Sequence, residues 1–205
     1  MITLHHLNQS RSKRIIWLLE ALDQPYQIKA YQRDAVTHLA PAELKQIHPL
    51  GKSPVIEDDG LVIAESGAIV EYLVEKYAAD SLAPAKGTPE YAAYLQWLHF
   101  AESSGILPLL LNYFLKREPA KTEFLEGYSL MEAHKILAYL NQHLTDNTWL
   151  IGDEFSAADI LNSFVIEIAA SLELLTEYPA LQSYLKALMA NPQAQKANQL
   201  EQEYA

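Results

Sequence analysis

Apolar residues recur with two different periods in the two parts of the chain. Ile2-Thr3-Leu4-His5 has the length and composition of a short strand, and Ile15, Ile16, Leu18, Leu19 and Leu22 then recur at helical spacing until Asp23-Gln24-Pro25 stops them. Residues 26–31 read as a second strand. A short helix is expected around residues 41–47, with Pro41 in a tolerated first-turn position. Pro54-Val55-Ile56 and Leu61-Val62-Ile63 flank Asp58-Asp59-Gly60, the mark of a hairpin. Ser66 opens a helix whose apolar positions Ile69, Val70, Leu73 and Tyr77 share a face. The predicted order is β-α-β-α-β-β-α.

From about residue 80 the pattern changes. Ala83-Pro84-Ala85-Lys86-Gly87-Thr88-Pro89 is rich in helix and strand breakers, and no strand signal follows it. Long helical runs do follow, over residues 90–116, 122–144, 157–175 and 180–190, and such segments bury their apolar faces by bundling. Pro108 is expected to bend or interrupt the first of them, and Pro192 to mark a break before a polar tail. The sequence thus predicts an α/β unit over residues 1–79, a linker over 80–89 and an all-helical unit over 90–205.

Composition narrows the chemistry. With 205 residues, half of them hydrophobic, the chain has material for two small cores. It lacks both a long apolar run and a basic, apolar leader, which predicts a cytoplasmic protein with no membrane partner. The net charge of −11 argues against a nucleic-acid partner. Residues 1–52 nevertheless hold seven cations against four acids, leaving −14 on the rest, so a locally basic front suits a small anionic ligand. There is no cysteine, so any thiol chemistry uses a ligand's thiol. Seven histidines form no His-Glu-x-x-His pattern, and neighbours His5 and His6 on a strand face opposite ways, so no metal is predicted. Gly51-Lys52-Ser53 is not a phosphate loop, because Ile47 stands where the first glycine belongs and Pro54 where a helix would start.

Four segments in order, Leu7-Asn8-Gln9-Ser10-Arg11-Ser12, His48-Pro49-Leu50-Gly51-Lys52-Ser53-Pro54-Val55, Ala64-Glu65-Ser66-Gly67-Ala68-Ile69, and residues 149–160 with Gly152-Asp153 and Ser156-Ala157-Ala158-Asp159, resemble the cytosolic glutathione transferases, in particular their serine-type, theta-like bacterial and fungal members. The resemblance covers nearly the whole chain. It implies a thioredoxin-like domain binding glutathione, followed by a helical domain carrying an electrophile pocket. It also implies a homodimer and a detoxifying transferase, with glutathione as co-substrate and no permanently bound cofactor.

Within that resemblance Ser10, beside the start of the first helix, is the catalytic candidate. A serine hydroxyl is too weak a base to take a thiol proton, but it donates to a thiolate, and a helix N-terminus adds positive potential. Lowering a thiol pKa from about 8.5 by one to two units takes roughly 1.4–2.7 kcal/mol, within reach of both effects together. Ser12 is the other candidate for the same role. As bare sequence, either serine also serves as a helix cap. Neither is followed three residues later by Glu or Gln, so free N–H groups are expected there for a ligand.

The remaining glutathione contacts implied are Arg11, Lys52 near the glycine carboxylate, Ser53 before a cis Pro54 with Val55 beyond, and Glu65-Ser66 at the γ-glutamyl end. Second-substrate candidates are Trp97, His99, Phe100, Glu102, Ser103, Leu107 and Tyr113, although helical spacing makes core positions of many of them. Asp159 is expected to cap its helix, at a cost of about 0.5–2 kcal/mol if lost, with Phe155 and Ile160 forming a hydrophobic staple. The expected activity is conjugation of glutathione to a small hydrophobic electrophile or reduction of an organic hydroperoxide. The alternative is a non-catalytic binding or interaction module with the same fold.

Overall fold

In the computed structural model, which describes residues 1–78 and 81–204, four strands pair in the order β2-β1-β3-β4. They are β1 (Ile2–Leu7), β2 (Tyr26–Tyr31), β3 (Val55–Asp58) and β4 (Leu61–Ala64). β1 runs parallel to β2, in a register of Ile2 with Tyr26, and antiparallel to β3. Parallel strands need a crossover, and α1 (Ser12–Ala21) supplies it, burying Ile15, Ile16, Leu18 and Leu19. The β3–β4 hairpin closes through Asp59 (φ 50°) and Gly60 (φ 86°), the two positive-φ positions of a type I′ turn. α2 (Leu44–Ile47) and α3 (Ser66–Tyr77) complete the expected order.

Chain contacts define two compact units, Met1–Ala79 with Ala190–Ala205, and Asp80–Met189. The boundary expected at residues 79 and 80 falls outside the described residues. The assignment of residues 190–205 to the helical unit is corrected: they belong to the first. The expected polar tail is a helix, α9 (Pro192–Glu203), whose N-cap Asn191 accepts from the backbone N–H groups of Gln193 (3.0 Å) and Ala194 (3.1 Å). Its fully buried residues are Ala194 and Ala197, and these small residues let it pack closely on α1.

The second unit contains α4 (Pro89–Glu102), α5 (Leu107–Leu115), α6 (Glu123–Thr145), α7 (Ala157–Ser171) and α8 (Pro179–Ala190). The expected helix over 90–116 is divided, with Pro108 in the first turn of α5. The turn between α4 and α5 needs a glycine, since a Cβ on Gly105 would lie 2.6 Å from the Phe100 ring and 2.9 Å from its carbonyl oxygen. Among the described residues no helix is long and apolar enough to cross a membrane.

Two buried polar groups organise the units. In the second, fully buried Asp159 accepts from the backbone N–H of Leu150 (2.9 Å) and of Ser156 (2.8 Å), and from the hydroxyls of Tyr184 (2.7 Å) and Ser156 (3.0 Å). It is therefore more than a cap, joining the start of α7 to α8 and to the 149–154 turn. Burial pushes its carboxyl above the usual range, against the pull of those hydrogen bonds. Phe155, proposed as half of a staple, lays its ring against Trp149 at 5.0 Å. In the first unit His5 and His6 do face opposite sides of β1. His5 meets the Tyr31 hydroxyl (2.8 Å) and Glu57 (2.7 Å), whereas fully buried His6 meets Ser12 on α1 and Glu201 on α9.

Asp159→Ala is expected to destabilise the protein by about 3–5 kcal/mol in urea denaturation, more than a lost cap, because buried donors on Leu150, Ser156 and Tyr184 lose their acceptor. A loss below about 1 kcal/mol would show the network to be ornamental. A second expectation concerns acid. Burial lowers the His6 imidazole from 6.5 to about 4, so the unfolded chain takes up that proton first. Stability should then fall as pH drops from about 6.5 to about 4, by up to about 3 kcal/mol. His6→Asn should flatten that window. Burial alone would raise the Asp58 carboxyl, but hydrogen bonds from Lys76, Tyr72 and Tyr77 hold it below its usual value, so its contribution is lost only in stronger acid.

Candidate functional site

The last amide of β1 is the meeting point of two motif serines. The Leu7 N–H is shared between Ser12 Oγ (3.3 Å) and Ser53 Oγ (3.2 Å). Ser53 in turn donates its hydroxyl to the His5 carbonyl (2.7 Å), which fixes the segment before β3 against β1. The Ser53–Pro54 peptide bond is cis, and Val55 follows it buried in β3, paired with His5.

Ser12 is completely buried. Its Oγ lies 2.8 Å from His6 Nδ1, 3.2 Å from the Leu7 carbonyl and 2.8 Å from Ser10 Oγ. Ser10, by contrast, is partly exposed and accepts the Ser12 backbone N–H at 3.2 Å. The N–H groups of Lys13 and Arg14 turn back to the carbonyls of Ser10 (3.4 Å) and Arg11 (3.2 Å). The expectation of free N–H groups at this helix start is therefore corrected for these three, which a tight first turn has satisfied. What remains for a ligand is the helix-end potential and the Ser10 hydroxyl, sharpened as a donor by the N–H it accepts.

The loop carrying Ser10 is gripped from two sides. Arg33 donates to the carbonyls of Asn8 (3.0 Å), Gln9 (3.1 Å) and His38 (3.0 Å). On the other side the N–H of Gln9, a residue at φ 52°, donates to Glu201 Oε1 on α9 at 2.6 Å. Glu201 Oε2 lies 3.2 Å from His6 Nε2, close enough for charge attraction although not aligned as a hydrogen bond. A full ion pair there would require a protonated ring, and burial, which holds His6 at about 4, outweighs that attraction near neutral pH.

At the start of α3, Ser66 is buried and Glu65 exposed. Glu65 has φ 70° and ψ 118°, outside the small left-handed well that tolerates side chains, and this strain directs the backbone into the helix. Buried Arg14 donates from Nη2 to Ser66 Oγ at 3.1 Å, leaving the Ser66 hydroxyl proton for another acceptor. Lys52 is exposed, next to Gly51 at φ 58°, and Arg11 is partly exposed with its carbonyl accepting from Arg14.

Sequence reasoning did not pick out Arg14, His6, Arg33 or Glu201. Arg14 had a readable signal, a cation four residues before Leu18 on the apolar stripe of α1. Glu201 had none, lying among polar residues far along the chain.

In the second unit the proposed pocket residues separate by burial. Trp97 is corrected to a core residue: it is 2% exposed, enclosed by Phe100 (5.3 Å), Tyr139 (5.5 Å) and His143 (4.8 Å), with its carbonyl accepting from Asn162. His99 and Ser103 are exposed, and Glu102 and Tyr113 partly so, with Arg117 stacked 3.5 Å from the Tyr113 ring.

Comparison with known proteins agrees with this architecture. Residues 1–75 match the family model of the glutathione S-transferase N-terminal domain, and residues 104–192 that of the C-terminal domain. Glutathione S-transferase 3 of Schizosaccharomyces pombe is 36% identical over 198 residues, covering 87% of this chain and 78% of the relative. A crystal structure of a glutathione S-transferase from Actinobacillus pleuropneumoniae superposes with a TM-score of 0.89 at 35% identity, over 98% of this chain and 93% of that one. The glutathione transferase URE2P6 from Phanerochaete chrysosporium, solved with oxidised glutathione, shares the fold at a TM-score of 0.86 and 24% identity, over 100% and 97% of the two chains. With a thioredoxin-like sheet unit, a helical unit and both family domains in order along one chain, this protein belongs to the glutathione S-transferases.

Proposed function

We propose that this chain is a working glutathione transferase in which Ser10 holds the glutathione thiolate. The observation that carries the reading is the contrast between the two serines. Ser12 is sealed inside, with His6 and the Leu7 carbonyl both in reach of its one proton, whereas Ser10 stands partly exposed at the helix start and is polarised by the Ser12 N–H. A thiolate competes well for the Ser10 proton, because charge-assisted hydrogen bonds are about twice as strong as neutral ones.

In this reading Ser66, its oxygen held by Arg14, gives its proton and backbone N–H to the γ-glutamyl carboxylate, with Glu65 at the ammonium. Ser53, beside Pro54 and Val55, pairs its backbone with the cysteinyl unit, and Lys52 and Arg11 supply positive charge. The glutathione-binding domain in this reading is residues 1–79, and a glutathione site is supported by the oxidised glutathione bound to the Phanerochaete structure. The thiolate then forms a carbon–sulfur bond to a small hydrophobic electrophile, displacing its leaving group where it has one, or cleaves the O–O bond of a hydroperoxide to give an alcohol and a sulfenate that a second glutathione converts to the disulfide and water. His99, Glu102, Ser103 and Tyr113 are the second-substrate residues of this reading. The protein acts as a cytoplasmic homodimer of the serine-type, theta-like group.

The test is the ultraviolet thiolate band of bound glutathione against pH, with turnover of an aryl halide and of cumene hydroperoxide measured in parallel. Ser10→Ala should raise the thiol pKa by about one unit, the helix end keeping its share, and cut conjugation at neutral pH about tenfold. An unshifted titration would remove Ser10 from the role, and failure of the wild type to bind a glutathione column would favour the non-catalytic module. Separately, Arg14→Met should raise the glutathione KM about tenfold or more while moving the thiol pKa little, since its Nη2 holds Ser66 at the γ-glutamyl end and it makes no contact with the Ser10 hydroxyl among those described. A pKa shift instead of a KM shift would contradict that division of labour.

A further inference from the structure

The serine pair is the outer end of a polar chain that begins on α9. Glu201 Oε2 faces His6 Nε2 at 3.2 Å, His6 Nδ1 faces Ser12 Oγ at 2.8 Å, and Ser12 Oγ faces Ser10 Oγ at 2.8 Å. We propose that Glu201 and His6 are positioning residues that set the direction of the Ser12–Ser10 hydroxyl pair, so that α9 tunes the acidity of the thiol. The inference rests on the assignment of Ser10 as the thiolate donor.

The direction follows from which atoms hold protons. A carboxylate beside Nε2 requires the ring proton there, because the other tautomer sets a lone pair against a negative charge. Nδ1 is then an acceptor and takes the Ser12 hydroxyl proton. Ser12 Oγ, its proton committed, becomes an acceptor for Ser10. In the resting site the Ser10 proton therefore points into the protein and must turn outward to meet a thiolate.

The other charged groups around the chain are committed elsewhere in part. Arg14 binds Ser66, and Arg33 binds the carbonyls of Asn8, Gln9 and His38, while Arg11 directly precedes α1 and Lys13 lies in its first turn, its N–H on the Ser10 carbonyl.

His6 does not serve as a base in this arrangement. A ring held at about 4 and a bound thiol at about 6.5–7.5 differ by roughly three units, so complete proton transfer is disfavoured about a thousandfold. The chain fixes orientation instead.

The Gln9 amide makes one substitution decisive. In Glu201→Gln the amide oxygen stays on the Gln9 N–H, which Oε1 now accepts at 2.6 Å, so the new NH2 group occupies the position facing His6. The negative charge that favoured a proton on Nε2 is then replaced by the positive end of an amide dipole, the ring proton moves to Nδ1, and Ser12 receives it. Ser12 no longer needs the Ser10 proton, which is released outward. Glu201→Gln is therefore expected to lower the bound thiol pKa by about half a unit to one unit, opposite in sign to Ser10→Ala.

The experiment combines 15N NMR of the His6 ring with the thiolate titration. Expected are an Nε2–H tautomer in the wild type, an Nδ1–H tautomer in Glu201→Gln, and a pKa drop that shrinks when the variant is made in a Ser12→Ala background, since the link is then absent. Glu203→Gln on the same helix, an exposed position, should change neither readout.

An Nδ1–H tautomer in the wild type overturns the proposal, as does a Glu201→Gln titration that is unmoved or moves upward. A drop of the same size in the Ser12→Ala background would also overturn it, by tracing the effect to charge alone. If Ser10→Ala raises the thiol pKa while Glu201→Gln leaves tautomer and titration alone, this inference fails and the role of Ser10 stands. If Ser10→Ala shifts nothing, the role of Ser10 fails, and the tuning inference fails with it.

Discussion

A single backbone amide, the N–H of Leu7, holds the first unit's functional elements in register. It sits at the end of β1, where a strand would otherwise present its donor to solvent or to a neighbour, and two serine oxygens from distant segments share it. Ser12 comes from the start of α1 and Ser53 from the loop that turns into β3. Each bond contributes only about 1 kcal/mol, but together they bring the two segments to one point, and Ser10 is placed because Ser12 is placed. Replacing this amide, as a proline would, removes the common anchor of both segments.

The parts of the fold that could be read from the sequence are those where a local rule coincides with burial. Asp59-Gly60 is a two-residue turn whose neighbours alternate in a pleated hairpin, and α1 carries its apolar residues on one stripe between clear stop signals. α9 escaped because its fully buried residues are two alanines, too small to register as a hydrophobic pattern, while its N-cap Asn191 and Pro192 look like an ordinary break. Trp97 was misplaced for the converse reason. A helix shows which residues share a face, but only its neighbours decide whether that face meets solvent, a ligand or, as here, Tyr139 and His143.

The site divides along the same line. Ser10, Ser12, Ser53 and Ser66 could be named because they lie in short contiguous motifs, and the first three do converge on the Leu7 amide and its neighbours. Arg14, Arg33, His6 and Glu201 act through tertiary contacts between segments with no sequence proximity. The backbone of Glu65 belongs with them: a non-glycine residue at φ 70° is held only because the elements on both sides over-determine it, and nothing in a Glu-Ser pair announces this.

The first unit is built from two stretches of chain with the whole helical unit between them. A nascent polypeptide emerges N-terminal end first, so the sheet and α1 are made well before α9. Until α9 has left the ribosome, His6 is uncovered on that side and the Gln9 amide has no carboxylate to hold it. Completion of the serine chain is thereby coupled to translation beyond the helical unit, and a polypeptide stalled before residue 190 carries the sheet and both serines but not the carboxylate that faces His6 and holds the Gln9 amide.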